Sequence, residues 1–434
     1  MMARMSGGKQ ARWCAFAVCA LALAIGWAPA AQAAERVLKK GARLAIIGDS
    51  ITEQKIYSKY IETYLLACRP DLDVCVLQLG WSGERAPGFL ARMDYDLLPW
   101  KPDVATTCYG MNDGGYRAYT NTIGETYLKA MSDIVAKIKA AGGIVVVGSP
   151  GVVDSFTYKR RNTNNLASVY NDNLAHLGDL GRKLAADNGF PFADVHGTMM
   201  SAMVAAKAAR SNEYAVAGRD GVHPGENGQL LMAYAFLKPL GMDGDIGTIT
   251  VTWNGKATAT AGHQVLSAGN GLVEVESSRY PFCFPSASTN GEGAASILPF
   301  VPFQQDLNRL TLVVKELPGE KAEIKWGQSG KVFTKEQLAA GVNLAAEFLD
   351  NPFSAPFNEV MGAVAAQQAF ETGMVKRQFN AQRKAISTNA AQTEALIKQR
   401  DALLAEQASQ MEAARALVKP VRHQIQIVPL PAAK

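Results

Sequence analysis

The stretch Arg43-Leu44-Ala45-Ile46-Ile47-Gly48-Asp49-Ser50 decides how the chain is read. Its apolar run ends abruptly at glycine, as a buried strand does where it delivers the chain into a loop. Working outward, Val74–Leu79 and Val104–Cys108 read as further strands and Tyr57–Ala67 as a helix. Glu125–Ala141 has helical spacing and stops at Gly142-Gly143. Ile144–Gly148 (IVVVG) is a continuous apolar run of the kind buried on both faces in a parallel sheet. Val169–Asn188 and Gly228–Leu240 read as helices, and Phe192–Val195 as a short fifth strand. Strands alternating with helices predict a three-layer α/β/α unit with a mainly parallel sheet.

The pattern changes near Met242. Ile246–Trp253 and Leu272–Glu276 alternate as strands do, and Leu310–Lys315 and Ala322–Trp326 flank a Leu-Pro-Gly-Glu turn and read as a hairpin. After Asn351-Pro352 the composition shifts to Ala, Gln, Glu and Lys, and Val360–Phe379 and Gln392–Val418 read as helices. His423–Val428 (HQIQIV) alternates and is expected to return as an edge strand. The expected organisation is a leader over 1–33, an α/β domain over 34–242, a β-rich accessory domain over 243–350 and a helical extension over 351–434. A charged, Ala/Gln-rich helix pair reads as a packed hairpin or an oligomer contact.

The leader rests on Arg4, Lys9 and Arg12, then a mostly apolar run from Trp13 to Trp27, then Ala31-Gln32-Ala33. That order is a secretory signal, and the run is too short to span a bilayer. An exported protein, periplasmic or extracellular and without a stable membrane anchor after cleavage, is the expectation. Cleavage removes three basic and no acidic side chains, which lowers the formal net charge from +5 to +2. So balanced a charge argues against nucleic acid as a partner. Of the cysteines beyond the leader, Cys68 and Cys75 could pair across a short turn, or all four could be buried thiols. No C-x-x-C occurs and the histidines are scattered, so neither a metal nor an organic cofactor is expected.

Four short segments carry the chemistry. Gly48-Asp49-Ser50 follows the first strand, at the edge where open α/β sheets bind ligands. Taken alone it is as good a helix cap as a nucleophile. Gly80-Trp81-Ser82-Gly83-Glu84 follows the second strand; Gly83 can bring its N–H close to a ligand oxygen, or simply make a turn. Tyr109-Gly110-Met111-Asn112-Asp113 follows the third; the Asn112 amide can stabilise an oxyanion, or close an Asx turn. In Asp220-Gly221-Val222-His223 the acid three residues before the histidine can orient its imidazole as a general base. Trp81, Arg85, Tyr109 and Tyr116 border these loops and are weighed as substrate contacts, His196 as a cleft or core residue, and His176 as structural.

Together these blocks resemble those of the SGNH hydrolases, the GDSL esterase/lipase family, with GDSI in place of GDSL. The resemblance runs from Ala42 to about Gly241 and implies a flavodoxin-like core. It implies that Ser50 is the nucleophile, His223 its base and Asp220 the third triad member. It also implies that the Ser50 N–H, the Gly83 N–H and the Asn112 amide form the oxyanion hole, with Asp49 supporting the turn. A serine esterase of short acyl esters follows, with O-acetyl groups on carbohydrate as the expected substrate. A lipase, lysophospholipase or thioesterase is the alternative enzyme. A glycan-binding or scaffold protein with a vestigial site is the non-catalytic one, and self-association through the helical tail stays open.

Overall fold

The computed structural model describes residues 37–158, 166–253 and 255–431, and Arg36–Lys434 form one compact unit. The leader lies outside the described residues. Among those residues no helix is long and apolar enough to cross a membrane.

β1 (Arg43–Gly48) is followed by α1 (Ser50–Glu53), α2 (Tyr57–Thr63), β2 (Cys75–Gln78), α3 (Ala86–Asp96) and β3 (Val104–Cys108). Then come α4 (Asn121–Ala140), β4 (Ile144–Gly148), α5 (Ala167–Asn188), β5 (Phe192–Ala193), α6 (Val195–Ala209) and α7 (Glu226–Leu237). The strands form a parallel sheet in the order β2-β1-β3-β4-β5. That is a doubly wound sheet, in which ligands bind beyond the carboxyl ends of the strands. Alternate β1 side chains feed opposite cores. Leu44 and Ile46 pack with α2, α6 and α7, and Ala45 and Ile47 with α3 and α4. The fifth strand is shorter than Phe192–Val195, because Asp194 accepts from Gly197 N–H and caps α6.

The remaining chain adds β6 (Asp245–Thr252), β7 (Lys256–Ala259), β8 (His263–Gly269), β9 (Leu272–Ser277), α8 (Phe303–Leu307) and β10 (Arg309–Lys315). These are followed by β11 (Lys321–Trp326), β12 (Ser329–Thr334), α9 (Lys335–Ala340), β13 (Val342–Asn343) and α10 (Leu344–Glu347). Last are α11 (Ser354–Gly373), α12 (Asn380–Thr388), α13 (Thr393–Arg415) and β14 (Val421–Pro429). Two sheets result, in the orders β13-β10-β6-β7 and β12-β11-β14-β9-β8.

Two expectations are corrected here. The hairpin across Leu317-Pro318-Gly319-Glu320 does not form: β10 pairs with β6 and β13, while β11 pairs with β12 and β14. Glu316 and Gly319 both have positive φ, and the chain turns a corner between sheets there. The terminal strand is not an edge strand, because β14 lies between β11 and β9. His423, Ile425 and Ile427 are its buried face. The four cysteines are free thiols, so Cys68 and Cys75 are not joined.

The helical tail lies along the open edge of the parallel sheet. β2 is that edge, and an unpaired strand edge invites association. Here its alternate backbone groups are met by tail side chains. Arg415 donates to Val74 O at 3.1 Å, Gln407 to Val76 O at 2.8 Å, and Gln78 N–H donates to Glu371 at 2.9 Å. Glu62 on α2 and Glu371 on α11 are fully buried, and Gln367 donates to both.

Candidate active site

β1 carries the chain to the carboxyl edge of the sheet, and there the two readings of Gly48-Asp49-Ser50 separate onto different residues. Asp49 is the cap: its Oδ1 accepts from Ile51 N–H at 2.9 Å. Ser50 starts α1 with its hydroxyl free to turn outward. Its Oγ lies 2.9 Å from His223 Nε2, and His223 Nδ1 lies 2.6 Å from Asp220 Oδ2. With the Nδ1 proton donated to Asp220, Nε2 is left to accept the Ser50 proton. Asp220 Oδ1 also accepts from the Val222 and His223 N–H groups at 2.9 Å each. Burial works against ionisation of Asp220, yet these hydrogen bonds hold its carboxyl below the usual carboxylate range. The tight turn needs Gly221: φ is +77°, and a Cβ there would meet the Tyr158 backbone at 2.3 Å. The pair is open to water, with side-chain exposures of 37% for His223 and 56% for Asp220.

Gly83 stands third in a turn closed by Glu84 N–H to Trp81 O at 3.1 Å. Its φ of +74° is what that position of a type II turn demands. Among the described residues its N–H has no partner. Asn112 Nδ2 donates to Glu84 O at 3.1 Å and to Asp49 Oδ2 at 3.4 Å. The Tyr116 hydroxyl donates to Asn112 Oδ1 at 2.9 Å and so fixes which way the amide faces. Burial raises the Asp49 carboxyl to about 7 against the pull of the Ile51 N–H, and Asp113 and Glu84 push it the same way as burial.

The loops are laced together by further residues of the same segments. Asp113 accepts from Ala86 N–H at 2.9 Å and Gly110 N–H at 3.0 Å, tying the loop after β3 to the one after β2. Glu84 receives Arg92 at 2.7 Å and the Tyr109 hydroxyl at 2.7 Å. Tyr109 is therefore a buried strut and not a surface for substrate. Trp81 and Arg85 do line a cleft of about 650 Å³ beside Gly83, together with Asp113 and, from the tail, Asn380 and Arg383. His196 is packed at the start of α6, its Nδ1 3.2 Å from Gly151 O, and burial pushes its pKa down. His176 is half exposed and stacks on Tyr119. Among the described residues no cluster of three or more His, Cys, Asp or Glu could hold a metal ion.

Residues 46–231 match the GDSL-like lipase/acylhydrolase family. Over these residues the chain belongs to that family. The GDSL-like segment places the protein among carboxylic ester hydrolases. An acetylxylan esterase of Geobacillus stearothermophilus is 23% identical over 227 residues, 47% of this chain and 95% of that protein. The solved structure of a gut microbial diltiazem-metabolizing enzyme is 20% identical and covers 90% of this chain and 98% of its own, with a TM-score of 0.69. That likeness shows the fold well beyond the GDSL-like segment, through the accessory sheets and the tail. The solved acetylxylan esterase Axe2 of Geobacillus stearothermophilus is 20% identical over 47% of this chain and 96% of its own, with a TM-score of 0.39.

A second serine and histidine meet far along the chain from the first. Ser277 Oγ on β9 lies 2.9 Å from His423 Nε2 on β14 and 2.7 Å from His263 Nδ1 on β8. Trp326 Nε1 donates to His423 Nδ1 at 3.1 Å, and His263 Nε2 lies 3.0 Å from Ile246 O. The indole N–H can only donate, which sets every proton in the row. His423 Nε2–H donates to Ser277, Ser277 donates to His263 Nδ1, and His263 Nε2–H donates to Ile246 O. Burial lowers the pKa of His423 to about 4, with His263 adding to it, and lowers that of His263.

Proposed function

We propose that the chain is an exported serine esterase that removes short acyl groups, acetyl foremost, from carbohydrate. The observation that carries the catalytic half is the row Ser50 Oγ, His223 Nε2 at 2.9 Å, and His223 Nδ1 to Asp220 Oδ2 at 2.6 Å. Ser50 attacks the ester carbonyl as its proton passes to His223 Nε2, and Asp220 steadies the imidazolium. The oxyanion takes hydrogen bonds from the Ser50 and Gly83 N–H groups and from Asn112 Nδ2, whose longer bond to Asp49 is the one it replaces. His223 then returns the proton to the leaving alcohol, and water, activated by the same imidazole, frees the acyl group. Each of the three donors is worth about 3–4 kcal/mol of barrier in comparable sites.

The carbohydrate half rests on the open His223-Asp220 pair. An exposed catalytic pair leaves room for a bulky polymer, and the acetylxylan esterase relative points the same way. The leader sequence supports export. Hydrolysis of p-nitrophenyl esters of rising chain length, followed by acetate release from acetylated xylan, tests this. Acetate is expected as the preferred acyl group. A preference for long chains returns the lipase reading, and no hydrolysis of any short ester ends the esterase reading.

A further inference from the structure

The tail that covers the sheet edge also reaches the site. α11 runs on through a π-helical turn, Met374–Phe379, and such turns recur at functional places in helices. It carries Lys376 to the end of α1. Lys376 Nζ lies 2.8 and 2.9 Å from the two carboxylate oxygens of Glu53, three residues after Ser50. Glu53 Oε2 also accepts from the Ser82 N–H. The next amide along is the Gly83 N–H. Lys376 stands 5.6 Å over the Trp81 ring, which begins the same turn, and Arg383 stands 6.0 Å over it. The ion pair is mostly shielded from water, with side-chain exposures of 29% for Lys376 and 21% for Glu53.

A glutamate with one backbone partner would sample several rotamers. Held at both oxygens by an ammonium group, it keeps one. We propose that Lys376 is a positioning residue: through Glu53 it fixes the Trp81-Ser82 peptide, and with it the adjoining turn, so that the Gly83 N–H points at the oxyanion. This rests on the esterase reading above. It makes the tail, which lies outside the matched segment 46–231, a working part of the active site. A Cβ at Gly83 would touch nothing within 4 Å, so no packing bears on the turn from that side. Glu53 and Lys376 supply the constraint that packing does not.

The test uses the full-length protein with p-nitrophenyl acetate and a boronic acid that forms a tetrahedral adduct on the nucleophile. Lys376→Met keeps the methylene contact with Trp81 and drops the charge. Its kcat is expected to fall about 10-fold, part of the 10²–10³ lost when an oxyanion donor is removed outright. KM stays within about twofold, boronate affinity falls in step with kcat, the melting temperature holds, and Lys376→Arg recovers most of the loss. An unchanged kcat, or a raised KM with kcat unmoved, overturns the inference. Should Lys376→Met fail to fold, Glu53→Gln is read in its place: it still accepts from Ser82 but loses the ion pair, and the same fall in kcat is required. Wild type that does not hydrolyse the ester, or Ser50→Ala that still does, overturns the esterase reading and this inference with it. Ser50-dependent turnover that ignores both Lys376→Met and Glu53→Gln overturns this inference alone.

Discussion

Two serine-histidine contacts have the same length among the described residues, 2.9 Å at Ser50-His223 and 2.9 Å at Ser277-His423. They differ in what surrounds the hydroxyl. Ser50 follows a strand at the carboxyl edge of a parallel sheet; its histidine is oriented by a carboxylate and reachable from water, and Gly83 offers an N–H nearby. Ser277 is fully buried between strands, and its two histidines are oriented by an indole and a carbonyl. There the hydroxyl donates to His263 much as Ser50 does to His223, but that imidazole is held by the Ile246 carbonyl and not by a carboxylate, and the buried row is closed to an incoming ester. Hydrogen-bond length between a serine and a histidine therefore says little about reactivity; the third partner and access decide it.

The sharpest way to break that comparison is to delete both hydroxyls in turn. Ser50→Ala is expected to lower kcat on p-nitrophenyl acetate by about 10⁶-fold, while Ser277→Ala leaves it within twofold. A comparable loss from Ser277→Ala in a folded protein would remove the distinction. Asp220→Asn comes next, with kcat down about 10⁴-fold and little change in KM, because the amide presents the wrong tautomer to Nε2. Retained turnover would show that the Val222 and His223 N–H bonds, not the carboxylate, set the imidazole.

The two regions also separate by pH. His423 has its pKa depressed to about 4, so the unfolded chain takes up the proton first as the pH falls. Its contribution to stability is present above pH ~6.5 and is lost as the pH drops towards 4, at most about 3 kcal/mol. Asp49 runs the opposite way: its raised carboxyl makes the fold less stable as the pH rises from about 4 to 7. The wild-type curve contains both, so the quantity to measure is the difference in urea unfolding free energy between wild type and His423→Phe. That difference is expected to shrink by up to about 3 kcal/mol from pH 7 to pH 4. A pH-independent difference would mean that the buried histidines are not held neutral. Smallest is Ser277→Ala at pH 7, which strands a histidine nitrogen at each side and costs about 1–3 kcal/mol in the same unfolding experiment. No loss would show that water replaces the hydroxyl.

What could be read from the residues alone follows a physical division. Strands β1 and β4 were legible because a parallel strand buried on both faces reads as a continuous apolar run, β3 because its small and β-branched residues favour a strand despite Thr106 and Thr107, and the helices between them because their period is local. The candidates Ser50, Gly83, Asn112, Asp220 and His223 could be picked out because each sits in a short turn whose glycine or acid lies within a few positions. Pairing between distant strands leaves no such mark. Alternation in Leu310–Lys315, Ala322–Trp326 and His423–Val428 says which side chains are buried, not which strand lies alongside. The tertiary structure alone decided that β14 would run between β9 and β11 and bring His423 to Ser277. It alone set Arg415, Gln407 and Glu371 against the edge of β2, and Lys376 against Glu53. Those contacts span some 150 to 340 positions of chain, and a hydrogen bond across such a distance is chosen by the packing of whole elements, not by any neighbour in sequence.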